Sequence, residues 1–303
     1  MTGLEDHIEA SALTRRSCLL VKPSSDFAEA ASGDADQVMF DLEDGCPAAD
    51  KVDSRARVGA ALNSAMFDGK VRTVRVNDVT THWCYRDIVD VVTAAAAHLD
   101  ALVIPKVAHA SHVHFVDHLL TQLEFELGLK QQIALEIMLE SAEGLTRLRE
   151  IACASDRTAA LVFGPHDYAV SLGYENFEWG ATVMTQSGFQ LGWAMHEIAN
   201  HAHARGIHAI DGIARPYDQA DYRASCDEAL LIGFDGKWCL NADHVAVANE
   251  AWTPSEAVYR TAEQFLAGQS DSASYGSRPD PAMRDMALRL AARGRRAGLS
   301  AES

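Results

Sequence analysis

From residue 17 onward, short apolar runs of strand character alternate with longer stretches whose apolar residues recur at helical spacing. The strand-like runs fall at 17–23, 37–44, 71–77, 101–107, 133–140, 159–163, 208–213 and 236–241. Between them lie Ala-, Leu- and charge-rich stretches such as 54–66, 85–97, 109–127 and 186–204, with the recurrence at i, i+3 and i+4 that marks a helix. Repeats of strand then helix predict parallel pairing, and eight such strands close a barrel. The expected fold is α/β, a (β/α)8 TIM barrel. An open, doubly wound sheet is the alternative. It carries a Gly-rich phosphate turn after its first strand, and VKPSSDF at 21–27 is not one.

The pattern also divides the chain. Residues 1–15 read as a polar arm, 16–254 as the catalytic barrel and 255–303 as a small C-terminal helical element serving as a lid or an oligomer contact. Within that element, a helical stretch at 255–267 leads through the Ser/Gly/Pro-rich linker QSDSASYGSRPDP to an amphipathic helix at 283–293 and a basic tail.

The run IALEIMLESAEG at 133–144 suggests the chemistry. An apolar strand ends in Glu140, and burying a carboxylate without a partner is very costly. Glu140 therefore reads as a ligand to a divalent metal. In parallel barrels the chemistry sits at the C-terminal strand ends. Here those ends carry Asp41, Glu43 and Asp44, then Arg75 and Asn77, Lys106, Glu140, Asp167 after the sixth strand, and Asp211. The opposite ends are expected to show no such bias. Two carboxylates about 4 Å apart repel by about 4 kcal/mol at an effective dielectric of about 20. Lys106 and Arg75 offset part of this, and Mg2+, which takes oxygen ligands and keeps several waters, is the natural third cation, with Mn2+ as the substitute. Glu140 and Asp167 are the expected metal ligands; Asp211 and the acidic group at 41–44 are expected to support them. Arg75 offers a planar fork for a substrate carboxylate, or else a salt bridge to Glu43 or Asp44. Gly164 and Asp167 are expected at the substrate, with backbone N–H groups of 164–167 helping to bind it.

His109, His112, His114 and His118 on one predicted helix, and His196, His201 and His203 on another, lack the spacing of an H-E-x-x-H site and read as solvated faces. Neither a nucleophile-elbow serine nor a C-x-x-C pair occurs, so metal-assisted rather than covalent chemistry is expected.

Composition narrows the partners. With 26 Lys and Arg against 43 Asp and Glu, the net charge of −17 argues against nucleic acid, whose affinity rests on Lys and Arg at phosphates. The six cysteines are scattered, which predicts reduced thiols in a cytoplasmic protein. The first residues lack a basic start followed by an apolar run, so neither a signal peptide nor a membrane association is expected.

Several short motifs carry a family resemblance. RRSCLLVKP, MFDLEDGCPAADKVDSRA, VRVND, LVIPKV, LEIMLESAEGL, LVFGPHDYAVSLG, AIDG and IGFDGKW resemble, in order and spacing, the citrate lyase β-subunit-like group of the HpcH/HpaI aldolase superfamily. Its members include malyl-CoA and citramalyl-CoA lyases. The resemblance runs from about residue 16 to 254 and implies a TIM barrel that makes or breaks a C–C bond through an enolate steadied by a metal. It implies Mg2+ on Glu140 and Asp167, the carboxylate of a 2-oxo acid on Arg75, and Glu43, Asp44 and Lys106 supporting the metal waters. It also implies a C-terminal lid reaching over a neighbouring subunit of a trimer or hexamer, where Asp280 moves the enolate proton. The sequence departs from the group at 23–25, 240–244 and 277–280, parts tied to CoA and the lid, while the metal and carboxylate motifs are intact. The expected function is cleavage of a 3-hydroxyacyl-CoA thioester to a 2-oxo acid and an acyl-CoA. The alternatives are a CoA-independent aldolase acting on a small hydroxy-oxo acid and an idle ligand-binding barrel.

Overall fold

The computed structural model describes residues 15–173, 191–213, 218–268, 274–275, 278–279 and 281–300. Eight strands close into a parallel barrel in sequence order: β1 (Ser17–Val21), β2 (Gln37–Asp41), β3 (Val71–Arg75), β4 (Ala101–Ile104), β5 (Ala134–Leu139), β6 (Thr158–Phe163), β7 (His208–Asp211) and β8 (Gly236–Cys239). Closure is made by β1 against β8, with Cys18 opposite Trp238.

Most strands stop short of the apolar and charged runs that predict them. Glu43, Asn77, Lys106 and Glu140 lie beyond the last residue of their strands, where the chain leaves the hydrogen-bond ladder and turns toward a helix. The helix expected over 54–66 is Lys51–Leu62 followed by a short turn at Ala65–Phe67. The one expected over 109–127 is Ala110–Leu127. It ends at Gly128, whose φ of 65° places it in the left-handed region where a side chain is disfavoured. The helix expected over 186–204 is Gly192–Arg205, its expected first residues lying outside those described.

Side chains alternate across each strand, and this period sorts the barrel. Cys18, Met39, Val103, Met138, Ala160, Val162, Ile210 and Trp238 form one buried cluster. They come from seven of the eight strands, which only the barrel interior can bring together. The same inward period places Gln37, Thr73 and Glu136 toward one end, and Asp41, Arg75 and Glu140 toward the other. The interior is thus apolar in the middle and polar at both ends.

The polar floor corrects the expectation that charge gathers only at the C-terminal strand ends. Glu136 is fully buried and accepts from Arg15 Nε at 3.0 Å and from Gln37 Nε2 at 3.0 Å; Gln37 also donates to Thr73 at 3.1 Å. Gly236 leaves room for the Arg15 backbone, because any Cβ there would overlap the Arg15 carbonyl.

The chain separates into two compact units, Arg15–Ala248 and the residues from Asn249 onward. In the second, the helices Glu256–Leu266 and Pro281–Arg296 pack through Tyr259, Ala262, Ala287 and Ala291. Between them Ser274–Tyr275 and Arg278–Pro279 pair antiparallel. Asp280, the expected lid acid, lies outside the described residues. No described helix is long and apolar enough to cross a membrane, and all six cysteines are free thiols.

Candidate active site

The C-terminal mouth of the barrel gathers most of the expected residues. Asp41 and Arg75 end neighbouring strands and face each other in register. Arg75 Nε and Nη2 donate to Asp41 Oδ1 and Oδ2 at 2.7 and 2.6 Å, a bidentate pair between two buried side chains. Arg75 Nη1 lies 2.9 Å from Glu43 Oε2, and the guanidinium sits 5.3 Å from the centre of the Trp238 ring. The salt bridge expected to Glu43 or Asp44 is therefore made to Asp41 and Glu43. Asp44 turns outward instead, 3.5 Å from Lys106 Nζ.

Lys106 links the acidic groups from two atoms. Its ammonium donates to Glu43 Oε1 at 2.5 Å, and its backbone N–H donates to Glu140 Oε1 at 2.6 Å. Among the described residues it is the only non-glycine with positive φ, 52°. That backbone state costs an L-residue about 1–2 kcal/mol and follows β4 after one intervening residue, Pro105.

Glu140 is almost wholly buried. Its second oxygen, Oε2, faces Gly164, where a Cβ would lie 2.5 Å away; no other residue fits there without displacing the carboxylate. Gly164 precedes the helix Pro165–Ser171, whose first turn carries Asp167. The proline suits that helix start because its missing N–H costs nothing there. Asp167 makes no hydrogen bond or ion pair among the described residues, and Glu140 Oε2 likewise has no donor.

The electrostatics follow from this crowding. Burial, then the charges of Glu43 and Asp167, push the Glu140 carboxyl up to about 8 against the opposing Lys106 N–H and Arg75. Burial and Asp44 likewise raise Glu43 in spite of Arg75 and Lys106. Asp41 is the contrast. Burial works against its charge, but the Arg75 guanidinium and the Glu43 and Gly45 N–H groups outweigh burial and hold it below the ordinary carboxylate range. Asp41 is satisfied by its four donors, whereas neither Glu140 nor Asp167 makes an ion pair among the described residues.

Among the described residues no three His, Cys, Asp or Glu side chains form a metal cage. Two carboxylates close enough for one to raise the other's pKa are nevertheless a suitable donor set for Mg2+, which is held through one or two carboxylates with waters and substrate completing its shell.

Asp211 departs from expectation. It alternates with the inward Ile210, so it points out of the barrel, where it pairs with the buried Lys237, which also donates to the Gly212 carbonyl at 3.0 Å. Burial raises its carboxyl despite Lys237. It braces β7 against β8 and does not face the mouth. Asp41, expected only within the supporting acidic group at 41–44, and Trp238, not expected at the site, both take defined positions against Arg75. The register of β2 against β3, with Asp41 the next inward position after Met39, is the signal that would have singled out Asp41. The histidines remain peripheral: His109 meets Glu143 at 3.3 Å, and His203 Nε2 meets the Gly233 carbonyl at 2.6 Å.

This geometry can be set beside known proteins. The family model for HpcH/HpaI aldolase/citrate lyase matches residues 22–242. An L-malyl-CoA/beta-methylmalyl-CoA lyase of Cereibacter sphaeroides is 33% identical over 272 residues, covering 86% of each chain. A (3S)-malyl-CoA thioesterase of the same species is 31% identical over 264 residues, covering 86% of this chain and 85% of that one. The crystal structure of CitE from Mycobacterium tuberculosis in complex with magnesium, acetoacetate and coenzyme A superposes with a TM-score of 0.68 at 23% identity, covering 95% of this chain and 100% of that one. The matched span takes in the mouth from Asp41 to Asp167, and on that ground the chain belongs to the HpcH/HpaI aldolase/citrate lyase family.

Proposed function

We propose that this chain is a Mg2+-dependent carbon–carbon lyase that splits a 3-hydroxyacyl-CoA, such as malyl-CoA or citramalyl-CoA, into a 2-oxo acid and an acyl-CoA. The observation that carries the reading is the crowding of two carboxylates, Glu140 and Asp167, neither in an ion pair among the described residues, beside an arginine with donors to spare. A guanidinium has five N–H donors, and Arg75 commits three atoms to Asp41 and Glu43. The remaining donors suit the carboxylate of an oxo acid. The lyase and the CitE complex support the thioester and the metal by their own names.

Bound Mg2+ supplies a Lewis acid for the substrate's hydroxyl and carboxylate oxygens. Glu140 and Asp167 hold it, and the Lys106 N–H fixes the rotamer of Glu140. Arg75 orients the substrate carboxylate so that the bond to be broken is placed reproducibly. Gly164 keeps the wall open where Glu140 needs room. As the C–C bond breaks, the hydroxyl loses its proton and the acyl carbon gains one, and Asp280 is the acid assigned to the second transfer. The lid assignment carries with it a homo-oligomer, a trimer or hexamer, in which a neighbour completes each site; sedimentation as a monomer would remove it.

The thioesterase similarity favours a second reading, hydrolysis of the same thioester. Malyl-CoA with Mg2+ separates the two: lyase activity yields glyoxylate and acetyl-CoA, hydrolysis yields malate and free CoA thiol. Cleavage abolished by EDTA and by Glu140→Ala is expected. Full activity retained by Glu140→Ala, or turnover of CoA-free hydroxy acids alone, would overturn the proposal.

A further inference from the structure

We infer that Asp41 is a positioning residue for oxo-acid recognition, acting through Arg75; this rests on the lyase reading above. Its carboxylate takes four hydrogen bonds. Two come from Arg75, and two from the turn that follows β2, the Glu43 N–H at 2.9 Å and the Gly45 N–H at 2.7 Å. The sequence D-L-E-D-G thus wraps around its own first residue. Gly45 is required for the wrap, because any Cβ there would overlap Asp41 Oδ2.

A carboxylate with four donors has no lone pair left for a metal or a proton, which excludes Asp41 from both roles. What it can do is fix a direction. It grips the Nε–Nη2 edge of the guanidinium while Trp238 lies against its face. Arg75 then cannot rotate, and its remaining N–H groups keep one bearing. The same turn delivers Glu43 to Arg75 and Lys106. One buried carboxylate therefore sets the orientation of the arginine and the path of the loop that neutralises it.

Condensation of a 2-oxo acid (glyoxylate, then pyruvate) with acetyl-CoA or propionyl-CoA by the full-length, Mg2+-loaded protein tests this. The KM for each substrate and kcat are measured for wild type, Asp41→Asn, Gly45→Ala, Arg75→Lys and the double variant of Asp41→Asn with Arg75→Lys. Asp41→Asn is expected to raise the KM for the oxo acid about tenfold, the scale of one charged hydrogen bond, with the KM for the acyl-CoA unchanged. Gly45→Ala, which leaves Arg75 untouched and displaces only the Asp41 carboxylate, is expected to shift the same constant. The double variant is expected to match Arg75→Lys alone, because residues acting through one another are not additive. Additive effects, an equal rise in both KM values, or two single variants that fail to fold would overturn the assignment. If wild type shows no condensation with any pair, the lyase reading fails instead. Direct titration of wild type and variants with the oxo acid then still decides whether Asp41 governs its binding.

Discussion

The backbone N–H of Lys106 holds Glu140 at 2.6 Å while the ammonium of the same residue holds Glu43 at 2.5 Å. Two functions are carried by separable parts of one residue, and substitution can part them. Lys106→Gly keeps the N–H and relieves the cost of φ at 52°. It is expected to preserve or raise thermal stability and still lose activity at least tenfold. Lys106→Val loses the ammonium and is also forced into a backbone state it resists. It should melt lower by the equivalent of about 1–2 kcal/mol. Equal stability of the two variants, read by calorimetry, would contradict the backbone role.

Metal and pH are linked through Glu140. Burial and the neighbouring carboxylates push its carboxyl up to about 8, above its unfolded value. A group raised in this way contributes stability below the unfolded pKa that is lost as pH rises through the folded one. EDTA-treated protein is therefore expected to lose stability between about pH 4.5 and pH 8. Mg2+ replaces the proton, so its stabilisation should be larger at pH 8 than at pH 6. Melting temperatures at both pH values, with and without Mg2+, give the sign; Glu140→Gln should abolish the difference.

Gly164→Ala places a methyl 2.5 Å from Glu140 Oε2. Overpacking at a rigid site costs about 1–3 kcal/mol, and here the group displaced is a proposed ligand. Mg2+ affinity measured by titration should fall along with stability. Unchanged affinity in a folded variant would show that Oε2 does not face the ion.

The polar floor gives the opposite signature. Removing one partner of a buried pair costs about 3–5 kcal/mol. Glu136→Leu, which strands Arg15, is expected to destabilise on that scale in urea, and the double replacement of Glu136 and Arg15 by leucine should recover much of the loss. The KM and Mg2+ dependence of the folded variants should stay at wild-type values, since the apolar layer around Met39 and Trp238 separates floor from mouth.

The sequence by itself determined the barrel. Alternating strand and helix periods depend only on neighbours a few residues apart, and each strand had to bury both faces. It also placed Glu140, Asp167, Arg75 and Lys106 at strand ends, because a charge closing an apolar run stands out without coordinates. Tertiary structure decided which charges meet. Asp41 and Arg75 are 34 residues apart, and Arg15 and Glu136 are 121 apart; nothing local signals either partner. Asp211 shows the same limit from the other side. It ends its strand as Glu43 and Glu140 follow theirs, but one step of the two-residue alternation turns it out toward Lys237. Period and composition are properties of the chain read along its length, whereas pairing depends on strand register and on which wall of a closed barrel a side chain faces, and these exist only once the chain has closed.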